Sequence, residues 1–376
     1  MDDVFIAADN IFSPIGTTTA ENFAQLRNGV SGVKLHHDKD IADEPFYASL
    51  FDKGLVIVND IEGKYTKFEK LLIRSIFDAL AHCSVDVTDK NTILIISTTK
   101  GNISLLESEP NNPNLKERIA LTTSAKLVAD CLGFANAPIV ISNACISGIM
   151  AILTGMRLIK SGQYENVVVA GADEITKFVL SGFQSFQAIS AEPCKPFDAD
   201  RTGITLGEGA ATVILSSNPQ YAGNIKVLSG AVSNDANHIS APSRTGEELG
   251  QAINKTLEDA GIAASDVDLV SAHGTATTYN DEMEAKALTI AGLHNIPANS
   301  LKGYYGHTLG AAGLVEAIIT LQSMKEGVAI PTIGFKNIGV SAPLNIYTDL
   351  LPGKYNTCLK TASGFGGCNA AVLFGK

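Results

Sequence analysis

Val140-Ile141-Ser142-Asn143-Ala144-Cys145-Ile146-Ser147-Gly148-Ile149-Met150-Ala151-Ile152 is the stretch on which the rest of the chain turns. Pro138 to Ser142 is apolar and partly β-branched, the pattern of a buried strand. From Gly148 the apolar residues Ile149, Ile152, Leu153 and Met156 follow a helical period. Cys145 therefore falls where a strand turns into a helix. Unpaired amides and the positive end of the helix dipole favour a thiolate there. Ala144, Ser147 and Gly148 are small and leave room for a substrate. Alone, the stretch supports a nucleophile and an inert buried thiol equally.

Composition narrows the classes. The chain has 376 residues, enough for about two to three domains or one large two-part fold. It is 45% hydrophobic with 34 glycines, which allows a large core with many tight turns. A net charge of −11 and the lack of any Lys/Arg block argue against a nucleic-acid binder. The six cysteines are scattered with no C-x-x-C pair, so neither zinc nor a disulfide framework is expected. Met1-Asp2-Asp3 lacks the basic region of a signal peptide, and no apolar run approaches the ~18 residues of a membrane helix. A cytoplasmic location is the expectation.

In order along the chain, Val4–Ala8 reads as a strand and Thr19–Arg27 as a helix, with no capping box formed by Thr19 and Asn22. Residues 29–44 read as a polar surface excursion. Lys67–His82 is an amphipathic helix. Thr92–Ser97 is a strand apolar on both faces, Lys100–Pro113 a loop, Asn114–Leu132 a helix and Asn166–Ala170 another buried strand. Alternating helices and doubly apolar strands predict an α/β fold with a covered sheet. Met150–Gly162 also aligns without gaps on Val315–Gly327. The preceding helix and strand units, Phe68–His82 with Thr92–Ser97 and Glu247–Ala260 with Asp268–Ala272, correspond as well. The chain then divides into similar halves, 1–222 and 223–376, whose loops would share one site.

Cys145 needs a partner. Of the seven histidines, two follow strand signals in glycine-bracketed turns, His273 in Ser271–Thr277 and His307 in Lys302–Gly310. His36, His37, His82, His238 and His294 read as surface or structural residues. Ser363-Gly364-Phe365-Gly366-Gly367-Cys368-Asn369 is a third glycine-rich turn, either a hairpin corner or a place where amides approach a ligand.

These motifs resemble those of the β-ketoacyl-acyl-carrier-protein synthases of the elongating Cys-His-His type, within the thiolase-like superfamily. The resemblance starts at Phe12–Gly16 and takes in Ser142–Cys145, Lys195–Arg201, Gly207–Ala210 and His273–Thr277. It continues through Asn280-Asp281, Gly306–Gly313 and Gly364–Gly367. It implies a five-layered αβαβα duplication forming a homodimer, with a heterodimer as the alternative. It also implies that Cys145 takes an acyl group from the carrier's phosphopantetheine, and that the amides of Cys145 and Phe365 form the oxyanion hole. His273 and His307 would stabilise the enolate left by malonyl decarboxylation. Lys302 and Glu284 match positions behind the histidines and would form a buried pair that orients them. Thr275 and Thr277 match positions that bind the pantetheine arm, and Phe365 would gate the acyl pocket. Arg201 and Asp198 are structural on this reading. No metal or diffusible cofactor is implied, because pantetheine arrives on the acyl carrier protein.

Histidine at 307 separates the chain from initiating relatives with asparagine there, and Cys145 separates it from non-catalytic chain-length partners. An acidic carrier needs a basic mouth, for which Lys116, Arg118, Arg157, Lys160 and Lys195 are candidates. The sequence departs from the family's usual pattern at Ser363, in place of Phe, and Asn143, in place of Thr. It is also shorter around 100–115 and 183–195. A thiolase or CoA-dependent acyltransferase, with Cys368 as a second thiol, is the main alternative.

Overall fold

The computed structural model describes residues 3–55, 57–58 and 65–376. The reading made at Met1-Asp2 lies outside them.

Five strands build the main sheet of the first half, β1 (Phe5–Phe12), β2 (Thr92–Ser97), β3 (Ile139–Ile141), β4 (Asn166–Asp173) and β5 (Gly209–Ser216), while Lys34–His36, Phe46–Ser49 and Leu206–Gly207 form a small separate sheet. Five corresponding strands build the second, β6 (Lys226–Asn234), β7 (Leu269–Ser271), β8 (Pro297–Asn299), β9 (Thr357–Gly364) and β10 (Cys368–Gly375), with the two-residue strand Asn345–Ile346 added at the β8 edge. The spatial order is β1-β5-β4-β2-β3 in the first sheet and β6-β10-β9-β7-β8 in the second. In the first, β1/β5 and β5/β4 are antiparallel while β4/β2 and β2/β3 are parallel. The second repeats this sense pair by pair. A single pairing, Phe5 with Lys226, joins the sheets edge to edge. The internal duplication is thus written in the topology, and residues 150–162 and 315–327 fall in corresponding helices.

Helices α1 (Lys67–Leu80), α2 (Leu121–Leu132) and α3 (Ser147–Lys160) belong to the first half. Helices α4 (Glu247–Ala260), α5 (Thr278–Ile290) and α6 (Ala312–Glu326) belong to the second. α1 and α2 pack against Leu94, Ile96, Val168 and Ala170 on the outer face of the first sheet. α4 and α5 cover Val270, Leu359, Ala371 and Leu373 on the outer face of the second. α3 and α6 lie between the sheets against Ile93, Ile95, Val167, Val169, Val372 and Phe374. Odd and even strand positions face different helix layers, so the strands are apolar on both faces. The five-layered αβαβα thiolase-like fold follows directly. α6 is apolar nearly all round because it is enclosed by both sheets and α3.

Local differences from the sequence reading have simple causes. The first helix is capped one residue earlier than Thr19: Thr18 and Glu21 form a reciprocal capping box. Residues 114–132 are not one helix but two, Leu115–Arg118 and α2, separated by extended Ala120. The Arg118 carbonyl turns to Asn102 and its guanidinium to buried Glu69, which holds the chain out of the helical path. Residues 100–113 contain a helical turn, Leu105–Ser108, too short to leave a periodic signal. β3 is half-buried rather than buried, because it is the outermost strand of its sheet. Among the described residues no helix is long and apolar enough to cross a membrane.

Candidate active site

Two glycines at corresponding repeat positions bring the two halves together. A Cβ on Gly148 would lie 2.8 Å from the Leu314 nitrogen, and one on Gly313 would lie 2.9 Å from the Ile149 nitrogen. Backbone therefore packs on backbone where α3 and α6 begin, and the loops feeding those helices meet. One loop carries Cys145 and the other His307.

The Cys145 turn is sharp. Ala144 adopts φ +44°. The Ser147 hydroxyl accepts the Asn143 N–H at 2.8 Å and donates to the Ala144 carbonyl at 2.6 Å, which pins the turn to the helix start. Across it, the Gly364 backbone runs so close that a Cβ would be 2.9 Å from the Cys145 nitrogen. The third glycine-rich turn is a hairpin corner between β9 and β10, and it also approaches the thiol.

His307 is held by its main chain: its N–H donates to Thr205 O at 2.7 Å and its carbonyl accepts the Gly207 N–H at 3.0 Å. Neither of its ring nitrogens has a partner. His273 follows β7. Glu284 on α5 accepts the His273 and Gly274 N–H groups at 2.8 and 2.7 Å, and Asp281 accepts the Thr275 N–H at 2.9 Å. The two rings meet edge to face with centroids 5.3 Å apart. The Cys145 sulfur and one nitrogen of each imidazole lie within 4.8 Å of one another.

Behind them is a buried ion cluster. Lys302 Nζ donates to the His273 carbonyl at 2.6 Å, lies 3.3 Å from His273 Nδ1 and pairs with Glu316 at 2.6 Å. The expected pair of Lys302 with Glu284 is therefore incorrect; the carboxylate that holds Lys302 is Glu316. Glu284 points at amides and fixes the main chain, whereas Glu316 reaches the ammonium from α6. Because Lys302 can only donate, Nδ1 of His273 accepts and the ring proton sits on Nε2.

Burial holds His273 well below its ordinary 6.5, with Lys302, His307 and Lys360 adding to the fall. Burial does the same to His307, again with Lys302 and Lys360. Both rings are neutral at pH 7. The thiol is not the standing thiolate expected from the helix dipole. Cys145 is 9% exposed, and burial pushes its thiol up to about 12. Desolvation outweighs the half-charge of a helix end and the opposing Lys302 and Lys100. The resting state is a neutral thiol beside neutral imidazoles, one of which must take its proton. A thiol and two imidazoles are also zinc donors, but the adjacent Lys302 ammonium works against a cation here.

Cys145, His273 and His307 line a cavity of about 360 Å³ whose wall also includes Thr275, Thr277 and Phe365. The Thr275 and Thr277 hydroxyls bond each other at 2.8 Å. Phe365, 38% exposed, stacks on Phe183 and meets Phe186 edge-on.

Residues 1–220 match the model of the beta-ketoacyl synthase N-terminal domain and residues 225–336 that of its C-terminal domain. The chain belongs to the β-ketoacyl synthase family. It is 29% identical, over 99% of its length and 98% of the relative's, to a 3-oxoacyl-[acyl-carrier-protein] synthase 2 of Vibrio cholerae. It superposes over its full length on a beta-ketoacyl synthase from Burkholderia phymatum, with TM-score 0.91, 25% identity and 100% of that chain covered. It also superposes on the ishigamide ketosynthase/chain length factor, with TM-score 0.90, 26% identity and 99% of that chain covered.

Within this family fold, the structure brings together Cys145, His273, His307, Lys302, Glu284, Phe365, Thr275 and Thr277. The sequence reading missed Glu316 and Lys360. Their signal was a lone carboxylate in the apolar run Leu314–Leu321 and a lone lysine in a buried strand. The basic candidates fare differently, and none of them lines the cavity. Arg118 is tied to Glu69 and Lys195 to Glu192. Arg157 and Lys160 end the helix that Cys145 precedes, about 20 Å away at 1.5 Å per residue. Lys116 remains exposed on its short helix.

Proposed function

We propose that the protein is a 3-oxoacyl-[acyl-carrier-protein] synthase, an acyltransferase that elongates fatty acid or polyketide chains by decarboxylative condensation. The observation that carries this is the meeting of one thiol and two neutral imidazoles in the wall of a cavity. Cys145 Sγ attacks the thioester carbonyl of an acyl carrier while its proton passes to a neighbouring imidazole. The tetrahedral oxyanion is received by the Cys145 and Phe365 N–H groups, and the carrier thiol leaves. Malonyl-carrier follows, its pantetheine arm lying along Thr275 and Thr277. Loss of CO₂ leaves an enolate whose oxygen accepts the Nε2–H of His273 and a proton donor on His307. The unpartnered His307 nitrogens support this reading. The carbanion attacks acyl-Cys145, the C–S bond breaks, and a β-ketoacyl-carrier two carbons longer departs.

Phosphopantetheine enters on the carrier and no resident cofactor is needed. Phe365, between Phe183 and Phe186, is the gate of the acyl pocket in this proposal. A homodimer joined through the half-exposed β3 edge is part of the same proposal. A heterodimer is the alternative, since one solved neighbour is a ketosynthase/chain length factor. The division into halves at 222/223 is supported by the interval between the two family matches. Six free thiols accord with a cytoplasmic location.

The test is incubation with carrier-bound primers of graded length and malonyl-carrier, with products read by mass. A β-ketoacyl-carrier two carbons longer is expected. A product formed from acetyl-CoA but not from malonyl-carrier would instead establish a thiolase.

The imidazoles set a pH prediction. Their pKa values lie below 6.5, so they stay neutral and able to accept the thiol proton as pH falls through 6.5. The acidic limb of kcat/KM for acylation is therefore expected below pH 6.5, with a flat profile from there to pH 8. A limb centred at or above 6.5 in the pH–rate profile would contradict the neutral-imidazole mechanism.

A further inference from the structure

One buried charge has no part in the mechanism above. Lys360 stands on β9 with its side chain wholly enclosed. Its ammonium donates to the carbonyls of Ser271, Ala272 and Thr361 at 3.2, 3.1 and 2.6 Å. The same ammonium forms an ion pair with Glu316 Oε2 at 2.8 Å. Glu316 is thus clamped between two ammoniums, Lys302 on Oε1 and Lys360 on Oε2. Ser271 and Ala272 immediately precede His273, so Lys360 also grips the backbone that presents that ring.

We propose that Lys360 is a positioning residue that acts with Lys302 as the second buried cation beneath the imidazoles, setting the field in which His273 and His307 work. The inference rests on the condensing reading above and deepens it. The charged groups around the rings come from four elements: Lys302 from the short helix Lys302–Tyr305, Glu316 from α6, Glu284 from α5 and Lys360 from β9. Glu284 reaches the same strand by accepting the Thr361 hydroxyl at 2.7 Å. Cys145 also faces the rings, and Lys100 and Asp173 act on its thiol electrostatically. Two lysines balance two glutamates. Without Lys360 the layer carries a net negative charge, which opposes an enolate and favours protonated imidazoles. The direction of both histidine pKa values agrees, since Lys360 contributes to lowering each.

The test uses Lys360→Gln, which keeps amide donors near the carbonyls but removes the charge, and Lys360→Arg, which retains it. In histidine-labelled full-length protein, NMR titration should show the His273 and His307 pKa values rising by about one unit in Lys360→Gln and staying near wild type in Lys360→Arg. The kcat of malonyl-carrier decarboxylation should fall about tenfold in Lys360→Gln with KM unchanged, and Lys360→Arg should recover most of it. Imidazole pKa values that do not move in Lys360→Gln would overturn the proposal, even if the protein is less stable. Should Lys360→Gln fail to fold, Lys360→Met, which fills similar volume without the charge, is titrated in its place. The same rise in both pKa values is expected, and an unchanged titration overturns the proposal. Wild-type protein that makes no β-ketoacyl product would overturn the condensing reading instead, and the NMR titration would still judge Lys360.

Discussion

Cys145→Ala is expected to lose condensation by a factor on the order of 10⁴ or more, because no other group can hold the acyl chain between the two carriers. The physical case is geometric. Cys145 is the only sulfur grouped with both imidazoles among the described residues. Cys368 is buried in the neighbouring hairpin, its sulfur within 3.4 Å of the Phe365 carbonyl, and burial pushes its thiol up to about 11. Wild-type protein mixed with acyl-carrier should gain the mass of the acyl group, and Cys145→Ala should gain nothing. Cys145→Gln separates the half-reactions. It cannot be acylated, yet its amide fills the place of the thioester and leaves His273 and His307 in position, so malonyl decarboxylation should persist. If Cys145→Gln decarboxylates no faster than Cys145→Ala, the division of labour between thiol and imidazoles is wrong.

Glu316→Ala should be among the most damaging substitutions to stability. It strands the ammoniums of Lys302 and Lys360, both wholly buried, without the carboxylate that neutralises them. Breaking a buried pair by deleting one partner typically costs about 3–5 kcal/mol. Here a single deletion orphans two cations, so the upper end is expected, with a fall of several degrees in Tm. Glu316→Gln fills the same volume and should cost less in packing, but it still leaves two like charges close together. Thermal unfolding followed by circular dichroism measures both. A Glu316→Ala protein as stable as wild type would mean that water or another group reaches the cluster. The substitution should also slow decarboxylation, because Lys302 then loses its hold beside His273 Nδ1.

The halves of this molecule differ in how readable they were. The repeat of residues 150–162 in 315–327 could be seen because both helices lie between sheets and must be apolar on the same positions. Gly148 and Gly313 were visible only as small residues; their role in letting two backbones touch emerges from the packing. The nucleophile and both histidines were legible because each lies in a turn of small residues or glycines that leads into a helix, a local demand of the backbone. The partner of Lys302 was not. Glu284 and Glu316 are equally acidic and equally buried, and only the direction in which α5 and α6 present them decides which meets an ammonium. The state of the thiol went the same way. A helix end is a local feature, whereas desolvation depends on everything packed around the sulfur.

The order of residues alone therefore determined the duplicated α/β plan and the three reactive side chains, since periodicity and turn chemistry act over a few neighbours; the family came from the resemblance its motifs carry. The pairing of buried charges, the neutrality of thiol and imidazoles and the absence of Arg157 and Lys160 from the cavity wall were settled by tertiary structure. These depend on dielectric environment and on contacts between residues far apart in the chain, which no local pattern encodes.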